Sequence, residues 1–260
     1  MTYSVIAVGD EEAAFDAAQA AVAAGEVIVV PTDTIYGVGA LATSGAAVQR
    51  LLDAKERGRD MPPPVLVAEV AMVRALAAGV DERLTALADA FWPGALTIVV
   101  AARDSLRMDL GDRGDTIAVR VPDQAFTREL LRRTGPLAVS SANVHGHAAA
   151  TTIAEAVEQL GERCSVYLDA GVVNDPVPST IVDLTSEQAT VLREGRISVS
   201  ELNAAVPGLI EVPSSDPITD PAPAEESVSD PADDGPAEDE PAKDGRDARV
   251  EPAAPGHDEV

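Results

Sequence analysis

The sequence predicts an α/β domain built on a twisted mixed sheet, followed by an acidic tail. Three observations carry this. Short apolar runs alternate with amphipathic helical patterns through residues 1–210. The last apolar runs follow one another with no helix between them, and the composition changes abruptly near Glu211. Strands separated by helices favour parallel pairing, whereas consecutive strands return as hairpins, so the sheet has to be mixed.

The elements follow in order along the chain. "YSVIAV" reads as a strand, "DEEAAFDAAQAAVAAG" as a helix ended by Gly25, and "EVIVVP" as a buried strand. "TSGAAVQRLLDAKE" is a helix capped by Thr43 or Ser44, and "PVLVA" is a strand. Two short helices, "EVAMVRALAAG" and "DERLTALADAFW", close at Pro93 and Gly94. The strands "ALTIVVAA" and "TIAVRVP", the helix "QAFTRELLRRTG" and the strand "PLAVSSA" come next. The helix "TIAEAVEQLG" leads into the strands "SVYLDAG", "STIVDLT" and "ATVLREG", and "SVSELNAAV" ends the body. No internal repeat is visible.

Charge separates body from tail. Residues 211–260 hold sixteen acids, three bases and no aromatic residue, in a Pro- and Ala-rich setting. Such a segment cannot bury enough apolar surface to offset its ordering entropy, so disorder is expected; an acidic tail that docks on a partner is the functional alternative. The domain is therefore expected over 1–210, with net charge -12, and the tail over 211–260. That acidity excludes a broad nucleic-acid-binding face but leaves room for a local cationic pocket. The single Cys164 excludes a disulfide framework and a Cys-built metal site, and it reads as a small core residue. The start of the chain has no cationic region before an apolar one, and no run is long enough to span a bilayer, so a cytoplasmic protein with no membrane contact is expected.

The informative polar residues lie at strand ends, where open α/β sheets bind ligands. "VVPTDTIYGVGA" leaves a strand into Thr32, Asp33 and Thr34; "AVSSANVHG" ends one in Ser140, Ser141 and Asn143; "VPSTIVD" begins one at Ser179 and Thr180. Each could be turn chemistry alone. A further signal stands in "LLDAKERGRDMPPP". Val48, Leu51, Leu52 and Lys55 follow one helical stripe, which puts a lysine on the buried face. Lys55 is also the only lysine before the tail, among fifteen arginines. The prolines that follow hold Arg57 and Arg59 on a stiff connector, so this stretch reads as the edge of a cationic pocket. No phosphate-binding glycine loop, no nucleophile elbow and no metal-ligand set is present; His145 and His147 read as loop residues. Chemistry here would rest on positioning and charge.

In series, "PTDTIYGVG", "KERGRDMPPPVLV", "WPGALTIVV", "TIAVRVP", "SSANVHG", "STIVD" and "LREG" resemble the YrdC-like family, the L-threonylcarbamoyladenylate synthases, over residues 5–200. The resemblance implies a twisted sheet with a concave cationic cavity. It implies condensation of L-threonine, bicarbonate (or CO2) and ATP into threonylcarbamoyl-AMP and pyrophosphate, with Mg²⁺ arriving on the ATP rather than in a protein cage. A transferase complex acting on tRNA is the implied partner, with a weak contact to tRNA itself. By resemblance Lys55 and Arg57 hold the ATP phosphates and are the catalytic cations, and Thr116, Ser141, Asn143 and Arg193 complete the nucleotide site. Thr34, Arg120 and Ser179 would hold threonine, with Arg120 on its carboxylate. Pro62, Pro63 and Pro64 stand where relatives read Asn-Pro-Leu, and Leu66 where many carry histidine. Two alternatives are an RNA-binding module with a concave cationic surface and a carbamoyl-adenylating domain of the same fold.

Overall fold

The nine expected strands, joined by a tenth that the sequence does not announce, form one sheet among the described residues. The computed structural model describes residues 2–106, 108–112 and 114–211; the expected tail lies outside them apart from Glu211. In chain order the first half comprises β1 (Ser4–Ala7), α1 (Glu11–Ala23), β2 (Ile28–Val30), β3 (Gly37–Leu41), α2 (Gly45–Ala54), β4 (Val65–Leu66), α3 (Val70–Leu76) and α4 (Glu82–Phe91). The second half comprises β5 (Leu96–Ala101), β6 (Thr116–Arg120), α5 (Ala125–Thr134), β7 (Leu137–Ser141), α6 (Ile153–Leu160), β8 (Val166–Asp169), β9 (Thr180–Asp183), β10 (Thr190–Arg193) and α7 (Val199–Ala205). The sheet order is β1-β8-β2-β3-β7-β4-β6-β5-β9-β10, parallel at β1/β8, β2/β8, β4/β6 and β5/β9 and antiparallel elsewhere.

Local chemistry sets the helix starts. Ser44, Asp81 and Gln124 each accept the N–H three residues on, and Thr152 with Glu155 and Ser198 with Glu201 form reciprocal capping boxes. Of the two caps expected for α2, Ser44 is the one used. Strand β3 is the element that the sequence conceals. Its two glycines disfavour a strand on propensity, yet a Cβ on Gly37 would lie 2.6 Å from Val139 Cγ1. Glycine is required there so that β7 can pack its side chain across β3.

The two faces of the sheet differ, and that difference makes the site. One face carries the larger core, with Leu51 and Leu52 of α2, Leu84 and Leu87 of α4, Ala156 and Leu160 of α6 and Leu202 of α7 on strand residues such as Leu96, Ile98, Val119 and Val182. On the other face α1 and α5 cover only one half, where Phe15, Phe126 and Leu130 pack on Ile28, Val30, Leu137 and Leu168. Among the described residues the rest of that face, over β6, β5 and β9, has no helix on it. Among the described residues no helix is long and apolar enough to cross a membrane.

Candidate functional site

The bare half of the sheet is the floor of a cavity of about 820 Å³, within the size range of small-molecule sites. Strand alternation lays this floor. On β5, Leu96 and Ile98 face the core while Thr97 and Val99 face the cavity. On β6, Val119 goes inward while Thr116, Ala118 and Arg120 line the cavity, the alternation expected of "TIAVRVP". On β9, Val182 is core and Ile181 and Asp183 are floor. The 56–64 connector, with Pro62, Pro63 and Pro64, forms one wall, and β10 with Arg193 forms another.

Three guanidinium groups dominate the electrostatics. Arg57 donates from Nη1 to Ser140 Oγ at 3.1 Å. Its buried Nε has no hydrogen-bond partner among the described residues, and a buried N–H left so favours an acceptor brought by a ligand. Arg120, 6% exposed, is held on three sides: Nε donates to Gly94 O at 2.9 Å, Nη1 to Thr34 Oγ1 at 3.1 Å and Nη2 to Asp33 Oδ1 at 2.7 Å. Arg193 donates from Nε and Nη2 to Ser179 O at 3.0 and 2.7 Å, and from Nη2 to Ser179 Oγ at 3.1 Å. Ser179 Oγ in turn lies 2.9 Å from Thr97 Oγ1. Burial lowers the pKa of all three arginines; Asp60 opposes this at Arg57 and Asp33 at Arg120, while Arg120 and Arg57 add to it at Arg193. The mutual repulsion marks a site poised for an anion.

Gly195 permits the β10 wall. A Cβ there would meet Pro178 O at 2.2 Å and Ser179 C at 2.6 Å, so only glycine lets the "LREG" backbone abut the strand that presents Ser179.

The residues singled out in the sequence divide cleanly. Arg57, Thr116, Ser141 and Arg193, together with Thr34, Arg120 and Ser179, line this one cavity. Lys55 and Asn143 do not. Lys55 is 2% exposed, and its ammonium donates to Ser141 O, to Asn143 O at 2.7 Å and to Asn143 Oδ1 at 3.4 Å. The Asn143 amide donates to Val144 O and His147 O. Arg59, expected beside Arg57, turns away: it pairs with Asp109 and Asp112 and donates to Gln49 Oε1. Its acidic partners lie fifty residues on, beyond the reach of any local pattern. Asp33, one of the strand-end residues of "PTDT", engages Arg120, a role that its position in a turn-like stretch does not disclose.

The backbone at residues 54–57 explains why Lys55 and Arg57 diverge. Arg57 N donates to Leu52 O at 3.0 Å and Glu56 N to Asp53 O at 3.1 Å, and Glu56 has φ 54°. This is a Schellman closure of α2 with its left-handed residue at Glu56. The reversal leaves Lys55 on the core side and carries Arg57 into the cavity.

Cavity acids are few. Asp60, Asp115 and Asp183 line it, Asp183 is engaged by Thr185, and no three His, Cys, Asp or Glu side chains gather as a metal cage among the described residues.

A half-bare mixed sheet whose open floor gathers Arg57, Arg120 and Arg193 defines an α/β protein with a cationic cavity of ligand-binding size. The chain belongs to the Sua5/YciO/YrdC family, whose profile, described as "Telomere recombination", matches residues 20–195. A relative in Mycobacterium tuberculosis is 46% identical over 182 residues, 70% of this chain and 84% of that one. The Bacillus subtilis protein named threonylcarbamoyl-AMP synthase is 32% identical over 183 residues, 70% of this chain and 53% of its own length. Among solved structures, Pyrococcus abyssi Sua5 complexed with L-threonine superposes with a TM-score of 0.75 at 29% identity. That match covers 80% of this chain and 62% of the other, so the chain spans about three fifths of that structure.

Proposed function

We propose that this chain is a threonylcarbamoyl-AMP synthase, joining L-threonine, CO2 or bicarbonate and ATP with release of pyrophosphate. The observation that carries the reading is the convergence of Arg57, Arg120 and Arg193 on one cavity, in a family whose relatives bear that activity's name or hold L-threonine. The threonine amine captures CO2 as a carbamate, losing a proton; a carbamate oxygen attacks the α-phosphorus of ATP, and the bond to the pyrophosphate oxygen breaks. Two anions have to meet, so fixed cations supply the main catalytic effect and no covalent nucleophile is needed.

In this reading Arg57 and Arg193, with Thr116 and Ser141, face the nucleotide. The Arg57 Nε lacks an acceptor among the described residues and suits a phosphate oxygen. Arg120, positioned by Asp33 and Thr34, offers its two remaining N–H groups to the threonine carboxylate beside Ser179. Mg²⁺ enters with the triphosphate as part of the substrate. The product's consumer is a transferase complex that modifies tRNA.

The test is to incubate the protein with MgATP, threonine and bicarbonate and follow pyrophosphate. Release that requires all three supports the synthase. Release with carbamoyl phosphate in place of threonine and bicarbonate would mark the carbamoyl-adenylating alternative, and RNA binding without turnover would mark a binding module.

A further inference from the structure

We propose that Lys55 is a positioning residue, a clamp inside the core that fixes the backbone of residues 141–143, and not a ligand of the nucleotide. The proposal rests on the synthase reading for the reaction it serves and on geometry for everything else. The ammonium has three hydrogens and three oxygens within reach: Ser141 O, Asn143 O and Asn143 Oδ1. It is saturated by protein, and its side chain lies outside the cavity lining while that of Arg57, two residues on, lies within it.

The two cations hold neighbouring residues of β7 from opposite sides. Arg57 reaches Ser140 Oγ from the cavity, and Lys55 reaches Ser141 O from the core. Past β7 the clamp continues: Asn143 holds Val144 O and His147 O, and His145 N donates to Lys55 O at 2.8 Å. The turn that ends β7, with Ser141 on the cavity wall, thus hangs on one buried ammonium. The charged or titratable groups facing it are Arg57 and the buried Cys164. A lysine suits the task because a compact ammonium on a long stem aims three donors at oxygens gathered round a point; a planar guanidinium cannot. Without it, buried carbonyl oxygens lose their donor and the turn loosens.

The experiment compares the parent with Lys55→Met and Lys55→Arg. Amide hydrogen exchange is measured on the ligand-free proteins, with ATP affinity by equilibrium dialysis and pyrophosphate release under varied threonine. In both variants peptides covering 141–150 should exchange at least about tenfold faster while those covering 116–120 keep the parent rate. Turnover should fall about 100-fold, the scale of a misplaced catalytic wall, while the KM for threonine stays within about threefold. Parental turnover in Lys55→Arg would overturn the proposal. So would loss of ATP affinity with parental exchange at 141–150, the signature of a direct phosphate ligand. If Lys55→Met does not fold, Lys55→Arg alone decides between these outcomes. A parent protein that makes no pyrophosphate would sink the synthase reading, while the exchange comparison would still decide the clamp.

Discussion

Replacing Asp33 with Asn removes one charge and almost no volume, and the structure sets the size of the consequence. Asp33 Oδ1 accepts from Arg120 Nη2 at 2.7 Å, with the side chains 15% and 7% exposed. The other partners of Arg120, Gly94 O and Thr34 Oγ1, are neutral. Breaking a buried ion pair from one side costs about 3–5 kcal/mol, because the surviving charge stays buried alone. Asp33 is partly open to solvent, which places this case at the low end, about 3 kcal/mol. For a domain of this size each kcal/mol moves the melting temperature by about 2–4 °C, so Asp33→Asn should melt about 6–12 °C below the parent. Threonine should then stabilise the variant more than the parent, since its carboxylate restores the missing anion; threonine amide, lacking that carboxylate, should not. Thermal melts with and without each ligand read both effects. Melting within about 2 °C of the parent would refute the reasoning, because Arg120 would then need no resident counter-ion.

Four further outcomes are expected. Arg57→Ala should melt like the parent yet lower kcat for pyrophosphate release by about 10²–10³, the scale of losing one preorganised donor; steady-state kinetics with parental turnover would exclude it from the nucleotide site. Glu56→Gly should be at least as stable as the parent in urea titrations, since φ 54° costs an L-residue about 1–2 kcal/mol while the exposed pair with Arg163 contributes under about 1 kcal/mol; Glu56→Val should be the least stable, and equality of the two variants would contradict the strain. Gly195→Ala should lose about 1–3 kcal/mol in the same titrations through overpacking against Pro178 and Ser179, with a raised KM for threonine as Ser179 is displaced. Finally, burial and then Arg57 bring the Lys55 ammonium from 10.5 down to about 8, with Cys164 opposing. Below pH 8 both folded and unfolded chains carry this proton; between about 8 and 10.5 only the unfolded chain does. Parent stability relative to Lys55→Met should therefore rise across that window by up to about 1.4 kcal/mol per pH unit, and a flat difference in denaturant melts over this range would reject the shift.

Periodicity and capping made most of the architecture legible. Alternation in "TIAVRVP" placed Arg120 opposite the core side, and the helical stripe of α2 placed Lys55 inside it. What stayed hidden depends on contacts distant in sequence. β3 does not announce itself as a strand because its glycines answer to Val139 of another strand. Lys55 lies 86 and 88 residues before its acceptors, so a buried lysine could be seen but not what it holds. The Schellman closure of α2 was invisible because its left-handed residue is a glutamate rather than a glycine. Arg59 and Arg57 look alike on the connector, and only the acids at 109 and 112 separate them.

The chain distances within the cavity bear on how the protein comes into being. Its lining runs from Thr32 to Arg193, and the last wall, β10, joins the sheet only through β9, which itself pairs in parallel with β5 some eighty residues earlier. Contacts of such long range close late in folding. During synthesis the amino-terminal half can gather α1 and β2 early, but no pocket exists until the final hairpin has emerged and docked. Ligand occupancy therefore reports that β9 and β10 have docked on β5. A ligand that bridges Arg57 and Arg193 joins the early and late parts of the chain, protecting the finished molecule without assisting its partly made forms.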